Sequence, residues 1–227
     1  MGKIDIKGDI ASNDLVAFYD FFGMTCTYPK MVQDAIENDE DEEITLNIAS
    51  NGGDVFAASE IYTMLKASGK RIVVNVQGLA ASAASVISMA GNVVRMSPTS
   101  QMMIHKASVD PGHSNADDLE HQSAVLNSID ESIALAYEMK TGLKQPELLD
   151  LMAKETWLNA KTAVDKGFAD EIMFFGDDEE EIMVTNAVHQ LPSKSAITKF
   201  KNMIATPKTN SLREQKLAIL LEKTKGR

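Results

Sequence analysis

The chain has 227 residues, of which 44% are hydrophobic and 24% are charged. These values are typical of a globular protein and exclude a collagen-like, disulfide-rich or wholly disordered chain. The formal net charge of −11 disfavours nucleic acid as a partner of the whole surface. A single cysteine, Cys26, can form neither an internal disulfide nor a cysteine-rich zinc site. We therefore expect one sizeable core with an appendage, in a reducing compartment such as the cytoplasm.

Charge is distributed unevenly along the chain. Residues 193–227 contain nine Lys/Arg and two Glu, a net charge of +7, which leaves −18 on residues 1–192. We expect a folded domain over 1–175, an acidic break and low-complexity linker over 176–210, and a basic helix or tail over 211–227. The amino-terminal residues lack the apolar run of a signal peptide.

Strands and helices alternate along the predicted domain. The strands are expected at 3–10, 43–49, 71–76, 92–96 and 101–105, and the helices at 29–38, 54–68, 80–90, 115–140, 146–152 and 161–166. Only 72–94 is long enough and uncharged enough to span a membrane. Its polar residues favour a buried strand followed by a buried helix of small residues. The pattern predicts an α/β fold whose strands lie side by side.

Two turns stand where a predicted strand meets a predicted helix. In Ser50–Asp54, unpaired backbone N–H groups could bind an anion or an oxyanion, although a plain tight turn also explains these residues. In Gly78–Ser85, Ser82 lies among alanines at a position similar to a nucleophile elbow, but the G-x-S-x-G signature is absent. A small-residue helix packed on a neighbour is the structural alternative for this second turn.

Histidine offers one candidate for acid–base chemistry. His105 ends a predicted apolar strand, a position in which a lone histidine is more often structural than catalytic. The other three histidines have no metal-ligand spacing, so we expect neither a metal nor a cofactor. These are His113, His121 and His189.

Taken together, the motifs resemble the Clp protease proteolytic subunit family. The resemblance covers roughly residues 3–173 and rests on four segments in the family's order: Leu46–Gly53, Gly78–Ser85, Met102–His105 and Trp157–Asp170. The Ser-Asn-Gly-Gly-Asp-Val variant at 50–55 and the appended tail are more similar to ClpP-like proteases of phages and prophages, which serve as head maturation proteases. The resemblance implies the ClpP/crotonase-like fold, with repeated strand–strand–helix units and a protruding handle helix at 115–140.

The resemblance also implies roles for single residues. Ser82 would be the nucleophile, His105 the general base, and the backbone N–H groups of Gly53 and Ala83 the oxyanion hole. The position of the triad's acid is occupied by Glu155, where the family has aspartate. Two aspartates further along are alternatives for that acid, and two serines of the same helix should lie deeper than Ser82. These four are Asp165, Asp170, Ser85 and Ser88.

The implied function is that of an ATP-independent serine endopeptidase that forms homo-oligomeric rings and processes phage capsid or scaffold proteins. The chain contains no Walker motif, so any unfolding of substrates would need a separate ATPase partner. Neither nucleic acid nor a membrane is expected as a partner, and the host cytoplasm is the expected location of a phage-encoded form. A crotonase-type acyl-CoA enzyme and a non-catalytic scaffold are the alternatives.

Overall fold

The computed structural model of the protein describes residues 2–174. Its strands are β1 (Gly2–Ile10), β2 (Cys26–Thr27), β3 (Glu43–Gly53), β4 (Arg71–Ala81), β5 (Val93–Met96), β6 (Gln101–Ile104), β7 (Thr156–Asn159) and β8 (Glu171–Ile172). Its helices are α1 (Val16–Phe21), α2 (Pro29–Glu37), α3 (Val55–Ala67), α4 (Ala83–Ser88), α5 (Ala116–Thr141), α6 (Gln145–Ala153) and α7 (Ala160–Asp165). A 3₁₀ turn precedes α1 at Asn13–Leu15.

The strands form one mixed sheet whose central members are parallel. Its order is β2-β1-β3-β4-β5-β8, and β6 pairs with β4 and with β7. Strand β4 changes neighbour along its length. Residues 73–76 pair with β5, whereas residues 79–81 pair with β6. The last part of β4 therefore turns away from β5 and brings β6 beside the point at which β4 ends.

The core lies between this sheet and the helices that cover it. The central strands bury alternate side chains, which are mostly Ile, Val and Leu, on the face that packs against the helices, while Asp5, Asn47 and Asn75 lie on the other face and are not buried. The fully buried side chains of the central strands include Ile6, Ile44, Leu46, Ile48, Val74 and Val76. Helices α3 and α4 pack against them through small and branched residues, including Ala58, Ile61, Ala84 and Ile87.

The predicted α/β fold class is confirmed, and one predicted helix begins too early. The sequence suggests a helix over 80–90, but β4 continues to Ala81 and α4 spans only Ala83–Ser88. The reason is the backbone of Ser82, which has φ 54° and ψ −124° and so cannot belong to a right-handed helix. Four short elements were not predicted, namely α1, β2, β7 and β8.

Helix α5 is the expected long helix and is capped as its sequence indicates. Asn115 and Asp118 form a reciprocal capping box at its start, and Gly142 ends it in the left-handed conformation. Its first turns project from the body, because no residue between 116 and 129 is buried. Only the second half joins the core, through Ile133, Ala134 and Tyr137.

The predicted break at 176–210 and the predicted tail at 211–227 lie outside the described residues. Within residues 2–174, none of the helices has the length and hydropathy needed to cross a bilayer. The uncharged segment 72–94 forms β4 and α4, a buried strand followed by a buried helix, as the sequence analysis favours.

Candidate active site

The candidate site lies where three strands end side by side. Parallel strands place their carboxyl ends at one edge of a sheet, which is where α/β proteins usually bind ligands. Strand β3 ends at Gly53, β4 ends one residue before Ser82, and β6 ends one residue before His105. The register pairs Ala81 with Met103, and the Ser82 N–H donates to the Met103 carbonyl. The pairing of β4 with β6 thus sets the serine beside the histidine.

Ser82 occupies a sharp corner between β4 and α4. A positive φ is costly for a residue with a Cβ, on the order of 1–3 kcal/mol, and persists only where the surroundings enforce it. Here the preceding strand and the following helix, both buried, hold Ser82 at φ 54°. The turn has the strand-to-helix form of a nucleophile elbow, although the glycines of that signature are replaced by alanines.

The corner presents the serine hydroxyl to the histidine ring. The Oγ of Ser82 lies 2.7 Å from Nε2 of His105, within hydrogen-bond distance. Such a contact is what a serine needs to become nucleophilic, because the imidazole can take its proton as the hydroxyl attacks. The structure therefore brings together the two residues that the sequence motifs single out.

The turn predicted at Ser50–Asp54 is instead the irregular last part of β3, which runs to Gly53, and Gly52 in it packs directly against this corner. A Cβ on Gly52 would lie 2.6 Å from the Ala81 carbonyl oxygen and 2.7 Å from the Ser82 Cβ, and φ is +95° there. Only glycine fits at this position. The hydroxyl of Ser50 fastens this segment by donating to the Gly8 carbonyl and accepting from the Gly52 N–H.

Gly53, Ala83, Ser82 and His105 line one cavity of about 300 Å³. Ala83 is the first residue of α4, so its backbone N–H has no acceptor within the helix. The cavity wall is apolar where it meets the second half of α5. The lining residues on that side are Val86, Ile133 and Tyr137.

Glu155 directly precedes β7, and its carboxylate is not hydrogen-bonded to His105. Strand β7 is antiparallel to β6 and begins at Thr156, which pairs with Ile104, so Glu155 precedes the strand, and its φ of 49° lies outside the strand conformation. The Glu155 side chain is exposed, and its Oε1 accepts from Trp157 Nε1 at 3.3 Å. Among residues 2–174, no carboxylate is hydrogen-bonded to the His105 ring. The predicted acid–histidine contact is thus not made in this conformation.

Comparisons with known proteins point to one family. A family model described as Clp protease matches residues 31–175. The chain belongs to the Clp protease family. The match includes the ends of β3 and β4, Ser82, His105 and Glu155, and it supports peptidase activity of the serine type.

Curated relatives extend the similarity. The ATP-dependent Clp protease proteolytic subunit 1 of Chlamydia abortus is 30% identical over 140 residues, which cover 60% of this chain and 73% of that protein. The corresponding subunit of Deinococcus radiodurans is 30% identical over 135 residues, which cover 59% of this chain and 66% of that protein. Subunit 1 of Chlamydia pneumoniae is 27% identical over 187 residues, covering 78% of this chain and 98% of that protein.

The two alternative acids of this Clp family member lie elsewhere. Asp170 accepts from the Val94 N–H and from Lys140 Nζ, both at 2.6 Å, and so links β5 to α5. Asp165 is exposed at the carboxyl end of α7. Like Glu155, neither is hydrogen-bonded to His105.

A buried acid that sequence reasoning missed supports the segment after His105. Asp130 of α5 is 3% exposed; its Oδ1 accepts from the Ala107 N–H at 2.8 Å, and Lys106 Nζ lies 3.6 Å from its Oδ2. These contacts attach the segment that follows β6 to the long helix α5. A signal was present, because Asp130 lies between Ile129 and Ile133 on the helical face that turns inward.

Proposed function

We propose that this protein is a serine peptidase in which Ser82 is the nucleophile and His105 is the general base. The observation that carries the proposal is the 2.7 Å contact between Ser82 Oγ and His105 Nε2. The serine belongs to a strained corner, and the pair lines a cavity that is open to substrate. Strain of this kind concentrates at functional sites, because a merely structural serine has no reason to retain it.

The first half of the reaction follows from these atoms. Ser82 Oγ attacks the carbonyl carbon of the scissile peptide bond while its proton passes to His105 Nε2. The carbonyl becomes a tetrahedral oxyanion beside the backbone N–H groups of Gly53 and Ala83, which we assign to the oxyanion hole. Donors placed in advance at such a site contribute about 3–4 kcal/mol each to the stability of the transition state.

The second half returns the enzyme to its starting state. When the tetrahedral intermediate collapses, the C–N bond breaks, and the His105 imidazolium gives its proton to the departing amine. The acyl group remains on Ser82 as an ester. Water then attacks that ester, with His105 again accepting the proton, and the second product leaves with a new carboxyl group.

We propose Glu155 as the acid that orients His105. Glu155 directly precedes Thr156, and Thr156 pairs with Ile104, the residue directly before His105. Rotation of its exposed side chain away from Trp157 would let the carboxylate approach the ring. The extra methylene of glutamate, relative to the family's aspartate, lengthens its reach.

The test is hydrolysis of fluorogenic peptides by the purified full chain and by Ser82→Ala. We expect release of the fluorophore by the parent and no turnover above background in the variant. Ser88→Ala is a matched control, because Ser88 is a fully buried serine of the same helix that bonds to the Ala84 carbonyl. Equal activity of Ser82→Ala and the parent would contradict the proposal.

We also propose that the protein works as a homo-oligomeric ring. Apolar residues of α5 and its neighbourhood are exposed where the helix projects, including Leu119 and Val125, which are 48% and 43% exposed. Burial of these residues between copies would remove them from water. A change of Val125 to Asp should reduce the assembly seen by native mass spectrometry, while a change of Glu120 to Asp on the same helix should not.

The substrate proposed here is a phage capsid or scaffold protein, which is cut without ATP. The resemblance of residues 50–55 to phage-type enzymes supports this. Incubation of the purified chain with candidate capsid protein, with and without ATP, tests it. Site-specific cleavage that is equal in both conditions and lost in Ser82→Ala is the expected result.

A further inference from the structure

A buried hydroxyl pair lies directly beneath the candidate nucleophile. Ser85 Oγ is 2.6 Å from the Ser82 carbonyl oxygen and 2.8 Å from the hydroxyl of Tyr137. Ser85 is 0% exposed and Tyr137 is 1% exposed. Buried hydroxyl groups need hydrogen-bond partners within the protein. Here the two hydroxyls bond to each other, and Ser85 also bonds to the Ser82 carbonyl.

The chemistry of the three groups fixes the direction of the chain of hydrogen bonds. A carbonyl oxygen can only accept, so the single Ser85 proton is donated to it. The Tyr137 hydroxyl must then donate to Ser85 Oγ. Burial raises the pKa of Tyr137 above its ordinary value, so the phenol keeps this proton throughout the neutral range. The ring itself is held edge-to-face against Phe168, with ring centroids 5.5 Å apart.

The Ser82 carbonyl belongs to the same peptide group as the Ala83 N–H. Because a peptide group is planar, an interaction that fixes the carbonyl also fixes the direction of the N–H at the other end. Bonds accepted by the carbonyl further polarise the group, and hydrogen bonds in a chain strengthen one another. The carbonyl also accepts from the Ser85 N–H at 2.9 Å and from the Val86 N–H at 3.4 Å, so the hydroxyl adds to two backbone contacts.

We propose that Ser85 and Tyr137 are positioning residues for the reaction, acting through the Ser82–Ala83 peptide group on the N–H that faces the oxyanion. This inference rests on the proposed peptidase function and on the assignment of Ala83 to the oxyanion hole. Neither residue exchanges a proton with substrate. Their effect is confined to the transition state, in which the carbonyl oxygen becomes charged.

The experiment uses the full chain and four variants: Ser85→Ala, Tyr137→Phe, the double variant and Ser88→Ala. Tyr137→Phe removes one oxygen and keeps the ring against Phe168. Ser88→Ala is the matched control, because it deletes an equally buried hydroxyl of α4 whose bond goes to the Ala84 carbonyl at 2.9 Å. The measurements are kcat, KM, the affinity for a peptide boronate that forms a tetrahedral adduct, and the melting temperature.

We expect Ser85→Ala to lower kcat about tenfold, because the donor is misdirected and not deleted, and deletion of such a donor costs about 10²–10³-fold. KM should stay within about twofold, and boronate affinity should fall in parallel with kcat. Tyr137→Phe should lower kcat by less, about threefold, and should add nothing in the Ser85→Ala background, because it acts through Ser85. Ser88→Ala should leave kcat and boronate affinity within about twofold of the parent values.

Two results would overturn the inference. One is a Ser85→Ala enzyme whose kcat and boronate affinity equal those of Ser88→Ala; the other is a tyrosine effect that persists in full without Ser85. A merely structural role would lower the melting temperature without a selective loss of boronate affinity. If Ser85→Ala does not fold, the kcat and boronate affinity of Tyr137→Phe, compared with those of Ser88→Ala, test the inference instead. A parent protein with neither turnover nor boronate binding would instead overturn the proposed function, and this inference with it.

Discussion

The two sides of the candidate site are built in different ways. Ser82 is held at a corner between a buried strand and a buried helix, and the serines that follow it, Ser85 and Ser88, each have a hydrogen-bond partner. Glu155, at the open end of the β6–β7 pair, is exposed, and its carboxylate contacts Trp157. The His105 ring is hydrogen-bonded to Ser82 and, within residues 2–174, to no carboxylate.

The contrast shows which part of a catalytic arrangement the fold itself determines. The position of Ser82 is determined by the backbone around it. The ends of β4 and β6 and the start of α4 fix its main chain, and Gly52 packs closely against it. The orientation of Glu155 depends on a rotatable, solvated side chain. We therefore expect changes on the serine side to affect the fold and the reaction together, and changes on the acid side to affect the reaction alone.

The largest effect is expected for the residue shared by both sides. His105→Gln keeps a polar side chain but removes the base, and loss of the base of such a unit costs about 10⁶-fold in kcat. His113→Gln, a change at an exposed loop histidine, is the control and should retain parental turnover. Both are measured with a peptide ester and a peptide amide. Turnover by His105→Gln within tenfold of the parent would exclude it as the base.

The acid side is tested by Glu155→Gln and Glu155→Asp. Neutralising the orienting acid costs about 10⁴-fold in a serine protease, so we expect at least about a hundredfold loss of kcat for the glutamine variant. The fold and the oligomer should be unchanged. Glu155→Asp, which restores the family's residue, should retain much more activity than the glutamine variant.

Asp165→Asn and Asp170→Asn accompany these variants as controls. Asp170→Asn should lower the melting temperature by a few degrees, because the contact with Lys140 loses its charge, but it should leave kcat nearly unchanged. If Glu155→Gln kept full activity while one aspartate variant lost its turnover, that aspartate would be assigned as the acid that orients His105. Full activity in all three would leave a Ser82–His105 dyad.

The serine side is tested by Gly52→Ala. Its new Cβ would meet the Ala81 carbonyl oxygen and the Ser82 Cβ, so the corner must shift. We expect a loss of more than about tenfold in kcat together with roughly 1–3 kcal/mol of stability. Gly69→Ala is the matched control, because its φ is +71° and a Cβ there meets no atom within 4 Å. Equal kcat values in the two variants would show that the close approach at Gly52 is unimportant for catalysis.

The smallest effect is expected from removal of residues 176–227. Both sides of the site lie within residues 2–174, so hydrolysis of short peptides should stay within about a few-fold of the parent. The net charge of +7 on residues 193–227 predicts that any salt-sensitive association with an acidic partner will weaken. A shortened chain that does not fold would show that these residues belong to the core.

Much of the fold is predictable because buried strands leave a strong pattern. The Ile44–Ile48 alternation and the Asn115 cap gave the correct elements. Helix α1 was missed because none of its residues is buried, so it has no apolar face to detect. The start of α4 was misplaced because alanines fit a strand end as well as a helix, and only tertiary packing forces Ser82 to a positive φ.

For the site, sequence indicated the residues but not all of their contacts. Ser82 and His105 are 23 positions apart in sequence and meet because β4 pairs with β6. The order of the motifs along the chain suggests this pairing. The contact of Glu155 with Trp157 depends on side-chain rotation, which no spacing encodes. The bond between Tyr137 and Ser85 joins residues 52 positions apart and follows from how α5 packs.

The most direct test of the account is to locate the adduct formed by a fluorophosphonate probe. Trypsin releases Ser82, Ser85 and Ser88 in one peptide, residues 72–95, so fragment ions must assign the modified residue. We predict one adduct on Ser82 in the parent protein and in Ser88→Ala, and none in Ser82→Ala or His105→Gln. An adduct on Ser85, on Ser88 or outside this peptide, or no adduct on the folded protein, would contradict the claim that Ser82 is an activated nucleophile.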